Sequence, residues 1–192
     1  MLDFASNQEW IRAFSGGNRK KSSEIKLFQP PLFSDIHSLR VPLLKGPLLE
    51  VVLRAAPRTG KHSKVHKLSE DIVEPVDEVN IVLIKARDTY WSAIHYAART
   101  HRLKVAGVRH LCSLLAAKPL LHHELVLDIP LVSVLATETV RLKDEEHIER
   151  VPIAWWLSEM RNPEKPPEHI ASLFWFEEVW DYPYWFAFVK TD

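Results

Sequence analysis

The chain has 192 residues, 46% hydrophobic and 26% charged, and its 25 Lys/Arg balance its 25 Asp/Glu. That is the composition of a globular protein able to bury a core. One cysteine, Cys112, excludes an internal disulfide and any zinc site built on paired cysteines. No apolar run reaches the ~18 residues that cross a bilayer, and "MLDFASNQEW" lacks the basic and apolar regions of a signal peptide. The expected location is therefore cytoplasmic, with no membrane contact.

Ser6 and Glu9 have the spacing of a capping box, and Trp10, Ile11 and Phe14 supply an apolar stripe, so a short helix is expected before Gly16-Gly17. "GGNRKKSSE" reads as a polar arm. From Ile36 to Ala55 two extended pieces are expected around Lys45-Gly46, with Pro42 and Pro47 at edge positions. Leu49, Val51 and Leu53 alternate with Glu50, Val52 and Arg54, which suits a half-buried strand. "VNIVLIKA" (79–86) is apolar on both alternating faces and predicts a central strand covered on both sides.

Asp88 is placed to cap a helix running to about His101. A second helix follows, with Val105, Val108, Leu111, Cys112 and Leu115 on its apolar stripe and Pro119 at its end. "ELVLDIP" (124–130) predicts a strand, and residues 131–150 fit either a helix or a hairpin. "AWWLSEM" and "PPEHIASLFWFEEVW" predict helices, the second entered through its prolines with Ile170, Leu173 and Phe174 inward. "YPYWFAFV" predicts a buried strand.

The neutral total hides four blocks. Residues 1–69 carry 12 Lys/Arg against 5 Asp/Glu, residues 70–88 carry 2 against 6, residues 89–123 carry 5 against none, and residues 124–192 carry 6 against 14. Segregation by sign suggests separate surfaces for separate partners, or blocks that neutralise each other in the fold.

"AAPRTGKH" (55–62) has the Gly-Lys of a phosphate-binding loop. Ala55 replaces the first glycine, however, His62 replaces the hydroxyl residue, and no helical stripe follows. It is not such a loop. Arg58, Lys61, Lys64 and Lys67 recur at a spacing of three, a ribbon able to track a phosphate backbone. Arg99, Arg102, Lys104 and Arg109 cluster around the junction of the two predicted helices in an acid-free block. The outline resembles a helix-turn-helix without its diagnostic turn.

His62/His66 and His122-His123-Glu124 are the histidine clusters, but neither supplies three converging ligands, and no HExxH motif is present. No metal and no cofactor are expected. No serine sits in a glycine-flanked elbow, so no catalytic residue is assigned. Of 19 aromatic residues, 11 lie between Trp155 and Phe188. A helix and one strand cannot turn them all into one small core. Trp175, Trp180 and Trp185 are the expected protein-interface residues.

The expectation is a single α+β domain over residues 1–192 with a mixed or antiparallel sheet, a central helix pair and an aromatic C-terminal helix–strand unit. Its parts are an N-terminal helix and basic arm (1–35), a sheet and helix-pair core (36–130) and an acidic, aromatic part (131–192). The expected function is a non-enzymatic subunit or adaptor of an assembly containing RNA or DNA, with basic surfaces on phosphates and the aromatic surface on a protein partner. The alternatives are a small histidine-dependent hydrolase or nuclease, possibly using a metal, and a protein–protein adaptor without nucleic acid.

Overall fold

The computed structural model describes residues 36–56, 64, 67–86, 89–121, 125, 131–142, 145–157, 168–177, 179–180 and 184–191. The expected N-terminal helix and basic arm, and the Asp88 cap, lie outside these residues, as does nearly all of the expected 124–130 strand. The elements are β1 (Ile36–Pro42), α1 (Leu48–Ala55), β2 (Glu78–Ala86), β3 (Thr89–Tyr90), α2 (Trp91–Thr100), β4 (Leu103–Val105) and α3 (Val108–Ala117). They continue with β5 (Leu131–Ala136), β6 (Val140–Leu142), β7 (Glu145–Leu157), β8 (Glu168–Trp175), β9 (Val179–Trp180) and β10 (Tyr184–Lys190). No helix among the described residues is long and apolar enough to cross a membrane.

Eight strands form one mixed sheet, so the fold is α+β. β2 lies between β1 and β10, antiparallel to both. The far side of β10 is shared: β5 runs parallel to it along Trp185–Ala187, and β4 runs antiparallel along Phe188–Lys190. β5 passes the sheet on to the 13-residue β7, which pairs with β6 on the same side and with β8 on the other.

The pleat sends alternate residues to opposite faces, and both faces are covered. Ile81 and Leu83 of β2, with Trp185, Ala187 and Val189 of β10, pack with Val51 and Val52 of α1 and with Leu111, Cys112 and Leu115 of α3. Their neighbours Val82, Ile84, Phe186 and Phe188 pack on the other face with Ile94 and Ala98 of α2 and with Trp180 of β9. The unbroken apolar run of 79–86 follows from that position, because a strand between two layers has no solvent face.

Three expected elements change type. Residues 48–55 are a helix, in which Leu48, Val51, Val52 and Ala55 are buried at helical spacing. The Glu70 carboxylate accepts a hydrogen bond from the Leu48 N–H at 2.9 Å, which satisfies one orphan donor of the first turn. The residues expected as the C-terminal helices are strands instead, "AWWL" in β7 and 168–175 in β8, paired from Arg150↔Trp175 to Leu157↔Glu168. β7 offers a long ladder, and β8 satisfies its backbone there. The C-terminal unit is thus strand on strand.

A buried arginine clamps the α1–α3 layer. Arg109, only 2% exposed, donates Nε and Nη2 to the two carboxylate oxygens of Asp71 at 2.8 and 2.6 Å. Its Nη1 donates to the carbonyls of Leu44 and Gly46, each at 2.9 Å. Gly46 holds φ +107°, a conformation that disfavours side chains. Ser113, one turn on, accepts the Leu44 N–H and donates to the Arg109 carbonyl.

Removing one partner of a buried pair strands the other charge and the two carbonyls. Arg109→Met is therefore expected to lower the unfolding free energy on the order of 3 kcal/mol, measured by urea denaturation. An unchanged midpoint would mean that the pair is not structural.

Candidate functional site

A cleft of about 710 Å³ opens between α2, β4, the start of α3, the β5–β6 turn and the 70–74 segment. Its polar lining comes from Glu70, Asp71, Glu74, His95, Arg99, Lys104, His110 and Glu138, and its apolar walls include Ile72, Ala98, Leu103 and Val105. Thr137 assembles this place. Its Oγ1 accepts the Ala106 N–H and donates to the Ala187 carbonyl, while the N–H groups of Thr137 and Glu138 both donate to the Ala106 carbonyl. The β5–β6 turn is thereby fixed to β10 and to the entry of α3. A side chain at Gly107 would meet Glu138 Oε2 at 2.3 Å, so only glycine lets that carboxyl approach the helix start.

Both histidines keep a buried ring nitrogen without a hydrogen-bond partner among the described residues. The Gly107 N–H donates to His110 Nδ1 at 3.1 Å, so in the neutral ring the proton sits on Nε2. His95 Nε2 is buried with no hydrogen-bond partner among the described residues. His110 Nε2 has no hydrogen-bond partner either; Glu74 lies 3.9 Å away, too far for a bond. Each orphaned nitrogen costs about 1–3 kcal/mol.

Burial, with Arg99 adding to it, pushes the His95 pKa down, and burial does the same at His110 against the opposing pull of Glu74 and Asp71. Glu138 is pushed up by burial and then by the Asp71 charge. Cys112, on the buried face of α3, is pushed up to about 12 by desolvation and is not a nucleophile.

Of the basic residues expected on nucleic acid, Arg99, Arg102 and Lys104 are exposed around the α2–β4 turn, and Arg99 and Lys104 line the cleft. None of the three is ion-paired among the described residues. Arg109 is a correction: its guanidinium is consumed by Asp71 and two carbonyls and is out of reach of a phosphate. Lys64 and Lys67 stand on the turn entering Leu68, where the Lys67 N–H donates to the Lys64 carbonyl; neither lines the cleft. Arg58, Lys61, His62, His66, His122, His123 and Glu124 lie outside the described residues.

Trp180 and Trp185 are also corrected, each being 2% exposed. Trp180 packs against Trp91, Tyr184 and Phe186, and Trp185 lies edge-on to His37 with Lys85 over its ring. Trp175 is 53% exposed, with the Arg150 guanidinium 4.0 Å from its ring centroid. Among the described residues no three His, Cys, Asp or Glu side chains converge as a metal set. His95, Glu74 and Glu138 were not expected from the sequence. No short motif links residues that meet only through β4–β10 and β5–β10 pairing.

No family model, no curated protein and no solved structure matches the chain.

The histidines give a pH signature. Each has a native pKa below its ordinary 6.5, so below that pH the unfolded chain binds more protons. The stability they contribute is full above 6.5 and falls as pH drops through the native values. Glu138 acts oppositely: its native pKa lies above 4.5, so stability is lost as pH rises from 4.5 through the raised value. Melting curves of the wild type and His95→Gln/His110→Gln are expected to diverge at neutral pH and converge towards pH 5, with Glu138→Gln raising the neutral-pH melting temperature. Parallel profiles would refute this assignment.

Proposed function

We propose that the chain is a subunit or adaptor that contacts the phosphate backbone of a nucleic acid through Arg99, Arg102 and Lys104. The observation that carries this reading is their unpaired exposure at one turn, beside a cleft, while the fourth cation of the block is buried in an ion pair. Cations without acidic partners bind phosphates by releasing counterions. Tyr96, exposed on the same helix, adds a ring on which a base can stack.

Arg102 supports the reading separately. It follows the end of α2 at φ +56°, with its N–H donating to the Arg99 carbonyl. That is a helix C-terminal position favouring glycine, and an arginine there costs about 1 kcal/mol. Such a residue suits a side chain that is needed for contact. The setting proposed for this activity is the cytoplasm, RNA and DNA both being compatible with backbone contact. Trp175, exposed and stacked on Arg150, is the proposed anchor for a protein partner.

The hydrolase reading has less support. A histidine acid–base pair needs one imidazolium near neutral pH, and burial works against the charged form at both His95 and His110.

Removing three phosphate-contacting cations is expected to lower the slope of log affinity against log salt by about two for single strands. Arg99→Gln/Arg102→Gln/Lys104→Gln, titrated with a mixed-sequence oligonucleotide at two salt concentrations, checks this. Arg102→Gly alone should weaken binding while leaving the melting temperature equal or higher. Unchanged affinity in the triple variant would defeat the proposal.

A further inference from the structure

We infer that the 70–77 segment and the α2–β4 side of the cleft form a self-complementary face, on which a second copy of this chain docks by a twofold rotation. Ile72 of each copy then enters the cleft of the other. The face does not depend on the phosphate-binding reading above; its consequence, competition with nucleic acid for Arg99 and Lys104, rests on it.

The observation that carries the inference is Ile72, 94% exposed on a segment held at both ends. Before it, Asp71 is fixed by the Arg109 guanidinium, and the Glu70 carboxylate accepts the Leu48 N–H. After it, Lys45 Nζ donates to the carbonyls of Glu74 and Val76, and the Leu43 N–H donates to the Asp77 carbonyl at 2.8 Å. Val73 and Val76 are exposed as well. A single apolar side chain in water needs no explanation, but a group of them on one anchored segment is the mark of an interaction site. Because the chain's own contacts already order this ridge, docking costs little further loop ordering.

Charge selects the occupant. The ridge also carries Glu74 and Asp77, which repel a phosphate-rich surface, whether nucleic acid or anionic lipid. The other side of the same cleft supplies what the ridge lacks. Arg99 and Lys104 form no ion pair among the described residues, and Ala98, Leu103 and Val105 are apolar. An acidic, apolar ridge next to a basic, apolar wall is complementary to its own copy. A twofold axis between them sets each ridge on the other copy's wall, and the contact closes at two copies. With 25 Lys/Arg against 25 Asp/Glu, no net charge opposes the approach. In the pair, Glu74 faces Arg99 of the second copy, and Ile72 meets its Leu103 and Val105.

The test is sedimentation equilibrium of the full chain without nucleic acid, over a range of concentrations. A monomer–dimer equilibrium in the micromolar range is expected, weakened by salt. Ile72→Asp should raise the dissociation constant about tenfold or more and leave the melting temperature unchanged, since the side chain is exposed. Glu74→Arg and Arg99→Glu should each weaken pairing, and the two combined in one chain should restore it. A monomer at every concentration up to about 1 mM would assign Ile72 to a different protein and overturn the proposal. So would a species larger than a dimer, or a dimer indifferent to Ile72→Asp and to the single charge reversals. Titration with a mixed-sequence oligonucleotide separates the two readings. Ile72→Asp is expected to bind it more tightly than the wild type does, and equal affinity overturns the competition. If neither protein binds the oligonucleotide, the phosphate-binding reading falls, while the pairing is still judged by sedimentation.

Discussion

The arrangement depends first on the ion pair between Arg109 and Asp71. A guanidinium with five donors and a carboxylate with two oxygens meet side-on, and the remaining donors reach two carbonyls of the β1–α1 connection. Three separate stretches of chain are fixed by one side chain. Because Arg109 stands in the first turn of α3, the same contact sets where that helix begins, and with it Gly107 and His110. The 70–74 segment, carried by Asp71, becomes one wall of the cleft. The acidic block and the basic block of the sequence thus meet, but only in part. Arg109 is neutralised, whereas Arg99, Arg102 and Lys104 at the α2–β4 turn form no ion pair among the described residues.

The second constraint is the double coverage of the sheet. Aromatic residues of β7, β8 and β10 point alternately to the two faces, so adjacent members such as Trp185 and Phe186 enter different cores. A strand can therefore bury almost every side chain of "YWFAFV", provided that helices lie above and below. This accounts for the aromatic crowding without a large exposed surface. It leaves Trp175, at the end of β8, as the exposed tryptophan among the described residues.

Legibility followed burial pattern. The central strand 79–86, the helices of 91–100 and 108–117 and the closing strand were readable in type, although Val105, expected on the stripe of the second helix, lies exposed in β4 and pairs with β10. Residues 48–55 were misread because Leu49-Val51-Leu53 alternate while Leu48, Val51, Val52 and Ala55 also keep helical spacing, and tertiary packing decided between them. Residues 168–175 were misread because Ile170, Leu173 and Phe174 mimic a helical stripe; pairing with β7, a partner distant in sequence, overrode it. The exposed cations of the site were legible from charge alone. The burial of Arg109 was not, since it requires Asp71, 38 positions away. Nor was the meeting of His95, His110 and Glu138, which the sheet order brings together.

The central claim is that one edge of the molecule, the α2–β4 turn and the cleft beside it, meets nucleic acid, while the arginine clamp serves the fold. Backbone amide chemical-shift mapping with a short mixed-sequence single strand tests this most directly. The account predicts perturbations concentrated on Arg99–Val105, Gly107, His110 and Glu138, with the guanidinium signals of Arg109 unmoved. Perturbations centred on the β1 or β8 edges, or none at saturating oligonucleotide, would contradict it.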